Sequence, residues 1–181
     1  MSTLFVYHVS SPQVPDKILT HLEDIASTLA DHGVRVSRLQ VTAPVRPGAS
    51  EQDVVETLRG DIDRLMAEPG RDAVDVISAD GDSEAAGPDM PLQERMLALP
   101  QTLWMIAGQG LLSLHVGDYV YAILCERHDL VSVPGGVGHW FDIGERPQLC
   151  ALRIYSGLQT QSLTSASDEF PSRFARLDDL A

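Results

Sequence analysis

The chain has 181 residues, 44% hydrophobic and 22% charged, with 13 Lys+Arg against 26 Asp+Glu for a formal charge of −13. That length fills one core and is short for two, so a single domain is expected. So acidic a surface repels phosphate backbones and anionic lipid, which excludes nucleic acid as an expected partner. No apolar window approaches the length that spans a bilayer, so no membrane partner is expected. The start "MSTLFVYHVS" lacks a basic segment followed by an apolar one and a small-residue cleavage site, and the default location is cytoplasmic.

Residues 4–9, "LFVYHV", are β-rich and read as the first strand. "DKILTHLEDIASTLADHGV" places Leu22, Ile25, Ala26 and Leu29 at helical spacing and Gly33 where a left-handed stop belongs. "VRVSRLQV" (34–41) alternates as a strand does. Ser50, with Asp53 three residues on, is an N-cap for a second helix carrying Val54, Val55, Leu58, Ile62, Leu65 and Met66 and ending at Gly70. "AVDVIS" (73–78) is a short strand, and the acidic loop 79–89 within "ADGDSEAAGPDMPLQE" reads as a surface loop.

From Leu97 onward six short β-runs follow: "TLWMIAGQG", "LLSLHVGD", "YVYAILCERHD", "LVSVPGG", "HWFDIGERP" and "QLCALRIYSG". Strands of that length and spacing indicate an antiparallel barrel or jelly roll. The fold class expected is therefore mainly β with flanking helices (α+β), divided as residues 1–78 (strand and helices), 79–96 (acidic loop), 97–156 (barrel) and 157–181 (a docked short helix or a tail). Cys125 and Cys150 lie in apolar runs and read as buried free thiols.

"VPGGVGHWFDIG" (133–144) sets Pro134, Gly136 and His139 in the spacing Pro-x-Gly-x-x-His. This resembles the second motif of the cupin superfamily, in which the histidine points into the barrel. "AGQGLLSLHVGD", "LCERHDLVSVP", "HWFDIG" and "ALRIY", with "ADHGVRVSRLQ" and "DVIS" in the N-terminal half, follow the order and spacing of the acireductone dioxygenase family. The resemblance implies a cupin barrel with N-terminal helices packed beside it. It also implies Fe(II) or Ni(II) held by three histidines and a glutamate, chelating an enediol that dioxygen cleaves. Three of those ligands come from a His-x-His-x-x-x-Glu strand.

Here that stretch reads "QERMLALPQT". An ungapped match puts Arg95 and Leu97 at the histidine positions and Gln101 at the glutamate position; a second match deletes the ligand-bearing stretch. Leu103 replaces the arginine expected beside the glutamate, and His139, Phe141 and Arg153 remain of the pocket. A lone neutral imidazole does not hold such a metal against water, so the expectation is no metal ligand set and no cofactor.

The function expected is binding of, or action on, a small polar carbonyl, carboxylate or enediol-like metabolite. Metal-independent chemistry of isomerase, dehydratase, cyclase or lyase type would use His139 as acid/base and Arg153 as the polarising cation, with Phe141, Trp140, Trp104 and Leu103 as substrate contacts. Arg153, a charge in an apolar strand, needs an acid such as Asp142 or Glu94, or a polar cavity. Asp142 is a candidate to orient the His139 ring. Two alternatives stand beside this reading: a catalytically silent cupin binding a metabolite or partner protein, and an Fe/Ni dioxygenase with noncanonical ligands. Whether the chain is an enzyme, its substrate and its oligomeric state are left open.

Overall fold

A computed structural model describes residues 2–81, 92–157, 161–163 and 169–181. Most of the expected loop 79–89 lies outside the described residues.

The N-terminal part contributes β1 (Thr3–His8), β2 (Lys17–Leu19), α1 (Leu22–Ala30), β3 (Arg35–Arg38), α2 (Glu51–Thr57), α3 (Arg59–Met66) and β4 (Ala73–Asp80). Then come β5 (Arg95–Leu97), β6 (Gln101–Val116), β7 (Tyr119–Glu126), β8 (Asp129–Val133), β9 (Gly138–Asp142), β10 (Gln148–Tyr155) and β11 (Gln161–Leu163). Two short helices, α4 (Glu169–Ser172) and α5 (Leu177–Leu180), close the chain.

Local chemistry explains most of these boundaries. Helix α1 buries Ile25 and Leu29, one turn apart, and the chain turns after it at Gly33, whose φ of +76° suits a residue without Cβ. It begins later than its periodicity suggests, because residues 17–19 are taken as a short antiparallel edge strand on β1. The Ser50 side chain accepts the Asp53 N–H at 3.2 Å and caps α2. The second expected helix is interrupted at Leu58, whose φ/ψ of −106°/14° fall outside the helical well while its side chain is buried.

Among the described residues eleven strands form one sheet that curls on itself around β6. The first half of β6 pairs with β8 and β10, the second half with β7 and β9, all antiparallel. The N-terminal strands are woven into it, β1 against β7 and β4 against β10. The expected pair "TLWMIAGQG" and "LLSLHVGD" is thus one 16-residue strand. The register of β10 on β6 shifts between Cys150 and Ala151, leaving Ile106 as an extra residue. At Gly108, φ is +74° and an added Cβ would lie 1.9 Å from the Gln148 carbonyl oxygen, so glycine is required there.

That extra residue reverses which side chains face inward. Leu103 and Met105 point into the main core before it, Leu112 and Leu114 after it, while Trp104 and Ile106 join the core beneath α2 and α3. A third cluster sets Trp140 and Tyr7 against Phe174 and Leu177 of the C-terminal segment, so the end of the chain is docked. Among the described residues no helix is long and apolar enough to cross a membrane.

Candidate active site in the barrel

Strand alternation decides what β9 presents. His139 and Phe141 face the barrel interior, Trp140 and Asp142 the opposite side. Phe141 packs in the main core, and its ring lies where a Cβ on Gly110 would be, 2.3 Å away. His139 is 7% exposed. Its strand partner across β5 is Arg95. Gln101, at the start of β6 and equally buried, reaches it across the interior, with its amide Nε2 2.7 Å from the His139 Nε2.

The protons of this pair follow from their partners. His139 Nδ1 lies 3.1 Å from the Val137 carbonyl oxygen, which only accepts, so Nδ1 carries the hydrogen. Burial first, and the arginines Arg153 and Arg95 after it, hold the imidazole below its ordinary pKa against the opposing hydrogen bond to Val137. The ring is therefore neutral near pH 7, and Nε2 is a lone pair that accepts from the Gln101 amide. This leaves Gln101 Oε1 buried without a hydrogen-bond partner.

Arg153, on β10, is inward-facing opposite Leu103 of β6 and Asp75 of β4. Its Nη2 donates to Asp75 Oδ2 at 2.5 Å, Tyr155 donates to Asp75 Oδ1 at 3.0 Å, and the guanidinium sits 5.1 Å over the Tyr155 ring. Its Nε is buried with no partner. The acid beside Arg153 is thus Asp75, not Asp142 or Glu94. Asp142 has another task on the far side of β9: it accepts from Arg176 Nε at 2.7 Å, Leu177 N at 3.0 Å and Gly144 N at 3.0 Å. It does not touch His139. Glu94 lies 2.8 Å from His115 Nδ1.

These side chains surround a cavity of about 30 Å³, whose polar lining is Gln93, Arg95, Gln101, His139 and Arg153, set among Ile77, Leu103, Leu112, Val133 and Phe141. About two ordered waters occupy such a volume. Of the residues expected at the site, His139, Arg153, Phe141, Leu103, Gln101 and Arg95 are brought together. Trp140 borders the cavity, but its ring packs on Phe170 and Phe174. Trp104 is fully buried in the core beneath the helices, its indole N–H donating to Leu39 O at 3.0 Å, and Leu97 is buried in β5 outside the cavity lining. Asp75, missed from sequence, had a signal in "AVDVIS": an acid in an apolar strand asks for a partner as Arg153 does.

The model of the ARD/ARD′ family matches residues 12–162. An acireductone dioxygenase of Pseudomonas fluorescens (strain Pf-5) is 48% identical over 181 residues, covering 99% of this chain and all of that protein. The chain belongs to the ARD/ARD′ family. A second relative, an acireductone dioxygenase of Pseudomonas syringae pv. syringae, is 46% identical over the same span. Among solved structures, an acireductone dioxygenase from Bacillus anthracis with a cadmium ion in its active center aligns with a TM-score of 0.68 at 18% identity, over 86% of this chain and 92% of that one. That likeness shows the shared fold, the expected cupin barrel with flanking helices.

Membership corrects one expectation. No cofactor was expected, yet relatives named as dioxygenases at 48% identity, and a neighbour with a metal ion in its active center, point to a metal cofactor for the family. The residues here fit such an ion poorly. Among the described residues no three His, Cys, Asp or Glu side chains come together as a ligand cluster. In the cavity His139 Nε2 and the amide oxygens of Gln101 and Gln93 are the neutral donors, and the first is already capped by the Gln101 amide. With that nitrogen taken, two amide oxygens fall short of the three or four ligands that hold a first-row metal.

Proposed function

We propose that the barrel cavity of this chain is a site for acireductone-like, oxygen-rich small molecules, the substrate class in its relatives' name, in the cytoplasm. One observation carries the reading: a buried neutral imidazole, an arginine whose Nε is buried and unpaired, and the unpaired Gln101 Oε1 belong to residues that line one cavity. Buried polar groups without partners are rare and ask for a ligand. In this site His139 takes a proton at Nε2 once a substrate displaces the Gln101 amide from it, Arg153 orients a substrate oxygen through Nε, and Phe141, Leu103 and Leu112 exclude bulk water.

Identity of 48% over the whole chain favours a dioxygenase with noncanonical donors over the metal-free acid/base chemistry expected from sequence. A silent, filled barrel is disfavoured by the remaining cavity. The test is consumption of an acireductone in air by full-length protein with added Fe(II), added Ni(II) or neither, together with elemental analysis of each preparation. Consumption in at least one arm, reduced at least 100-fold by His139→Ala, is the expected result. About one metal equivalent in the active arm makes the protein a dioxygenase with altered donors. No consumption in any arm, or consumption indifferent to His139, overturns the proposal.

A further inference from the structure

The turn from β7 to β8 carries a residue in an unusual backbone state. His128 has a φ of +81°, the one positive value among the described residues other than glycine, in a region that glycine and asparagine enter most readily. Its backbone is tied on both sides: its N–H donates to Met105 O at 2.9 Å, and its carbonyl accepts from Leu39 N at 2.8 Å. The ring meets the segment that leads from β3 to α2, where Val41 N donates to its Nδ1 at 2.9 Å. A ring nitrogen that accepts from an N–H carries no hydrogen of its own, so His128 is neutral with its hydrogen on Nε2. Arg127 adds a second tie, from Nη2 to Val41 O at 3.4 Å. The segment matters beyond the loop. Val41 is 2% exposed in the core beneath α2 and α3, and Leu39 O is the acceptor of the Trp104 indole.

We propose that His128 is an acid-sensitive latch: the neutral ring holds residues 39–41 against the β7–β8 turn, and the protonated ring lets them go. Protonation places a hydrogen on Nδ1, where it meets the Val41 N–H across 2.9 Å, so an acceptor facing a donor becomes a donor facing a donor. The charges around the ring act in the same sense. Arg127 lies beside it in the turn, and Arg38 reaches across from β3 with its Nη2 on Arg127 O at 3.0 Å. The flanking acids are already hydrogen-bonded: Glu126 accepts from Gln109 Nε2 at 3.1 Å, and Asp129 accepts from Ser2 Oγ at 2.6 Å and Glu126 N at 2.8 Å, with Arg38 Nε 3.7 Å away. Leu39, Gln40 and Val41, and Met105 of β6, bring no titratable side chain. Desolvation first, then Arg127 and Arg38, hold the His128 pKa below its ordinary value against the pull of Asp129. A lowered folded value sets the sign: the latch is fully closed above the unfolded value of ~6.5 and opens as pH falls through the folded one. Glycine would meet the φ of this turn, and asparagine would supply an acceptor as well. What histidine adds to either is the titration.

The experiment is hydrogen exchange of the full-length protein followed by NMR at about pH 7.5, 6.5 and 5, with each rate divided by the intrinsic rate at that pH. The Val41 amide is expected to lose at least about fivefold of its protection from the highest pH to the lowest, and the Trp104 indole N–H to follow it. Ile123, in the middle of β7 between β1 and β6, keeps its protection. In His128→Asn, whose side-chain oxygen accepts from Val41 in the same backbone conformation and does not titrate, Val41 is expected to be equally protected at all three values. If that variant fails to fold, the ring of the unaltered protein decides: its Nδ1 is expected to titrate together with the loss of Val41 protection. Val41 protection that is unchanged down to about pH 5, or that falls equally in His128→Asn, overturns the latch. A parallel loss at Ile123 also overturns it, because the whole sheet would then be opening and not the segment.

Discussion

Asp142 and His139 are three residues apart on one short strand and do opposite things. The carboxylate, 4% exposed, collects an arginine and two backbone N–H groups. Burial alone would raise its pKa; the hydrogen bonds from Arg176, Leu177 and Gly144 outweigh that and hold it below the usual carboxylate range. Replacing it with alanine leaves those donors unmet and is expected to cost about 3 kcal/mol in urea unfolding. The sign of the pH effect follows from the lowered value. The contribution is fully present above the unfolded carboxyl pKa of ~3.9 and is lost as pH falls through the folded one, so the gap between the unaltered protein and Asp142→Asn narrows below about pH 4. His139 is also lowered, so its stabilising neutrality is complete above the unfolded value of ~6.5 and is lost as pH falls through the folded value. Burial pushes the Cys150 thiol up to about 11 and raises Cys125 as well, which keeps both protonated and inert near neutral pH.

At the scale of elements, β6 decides the site. Its extra residue at Ile106 switches the inward face from odd to even positions, so that Gln101 and Leu103 at one end and Gly110 and Leu112 at the other all meet the cavity or its ring of apolar residues. Gly110 leaves the space that the outer edge of the Phe141 ring fills. Gly110→Ala is expected to displace that ring at a cost of about 2 kcal/mol, read by thermal unfolding and by loss of ligand binding. This feature was not legible in the sequence. "AGQG" looks like a turn, and a bulge differs from a turn by long-range pairing with β10, which no local pattern encodes. Helix α1, the Ser50 cap and the β-rich second half were legible because periodicity and capping are local. The break at Leu58 was not, since burial of that side chain is a tertiary effect.

For the whole molecule, the C-terminal segment is the clamp on the outer face of the strand that carries His139. Phe174 meets Tyr7 and Trp140 with ring centroids 5.8 Å away in each case, and Arg176 closes onto Asp142. Phe174→Ala is expected to cost about 3–5 kcal/mol and to red-shift the fluorescence of Trp140, while Trp104, sealed in the other core, does not respond. An unchanged spectrum would show that the segment does not cover Trp140. How the candidate site reads from sequence follows the same division between local and distant. His139, Phe141 and Arg153 were legible through the motif spacing and an out-of-place charge, whereas the Asp75 partner and the Gln101 contact depend on strands brought together across the barrel. Trp104 looked like a pocket residue because it adjoins Leu103, yet the alternation of β6 sends the two to opposite cores.

His139 is a neutral ring with its hydrogen on Nδ1 and its Nε2 lone pair held by Gln101. Long-range ¹H–¹⁵N correlation of the histidine rings at pH 7.5, assigned with His139→Ala, measures this directly. A protonated Nδ1 and an unprotonated, hydrogen-bonded Nε2, with the Nε2 resonance moving in Gln101→Met, is the expected result. A hydrogen on Nε2, or a doubly protonated ring at that pH, would contradict the arrangement on which the whole reading of the cavity depends.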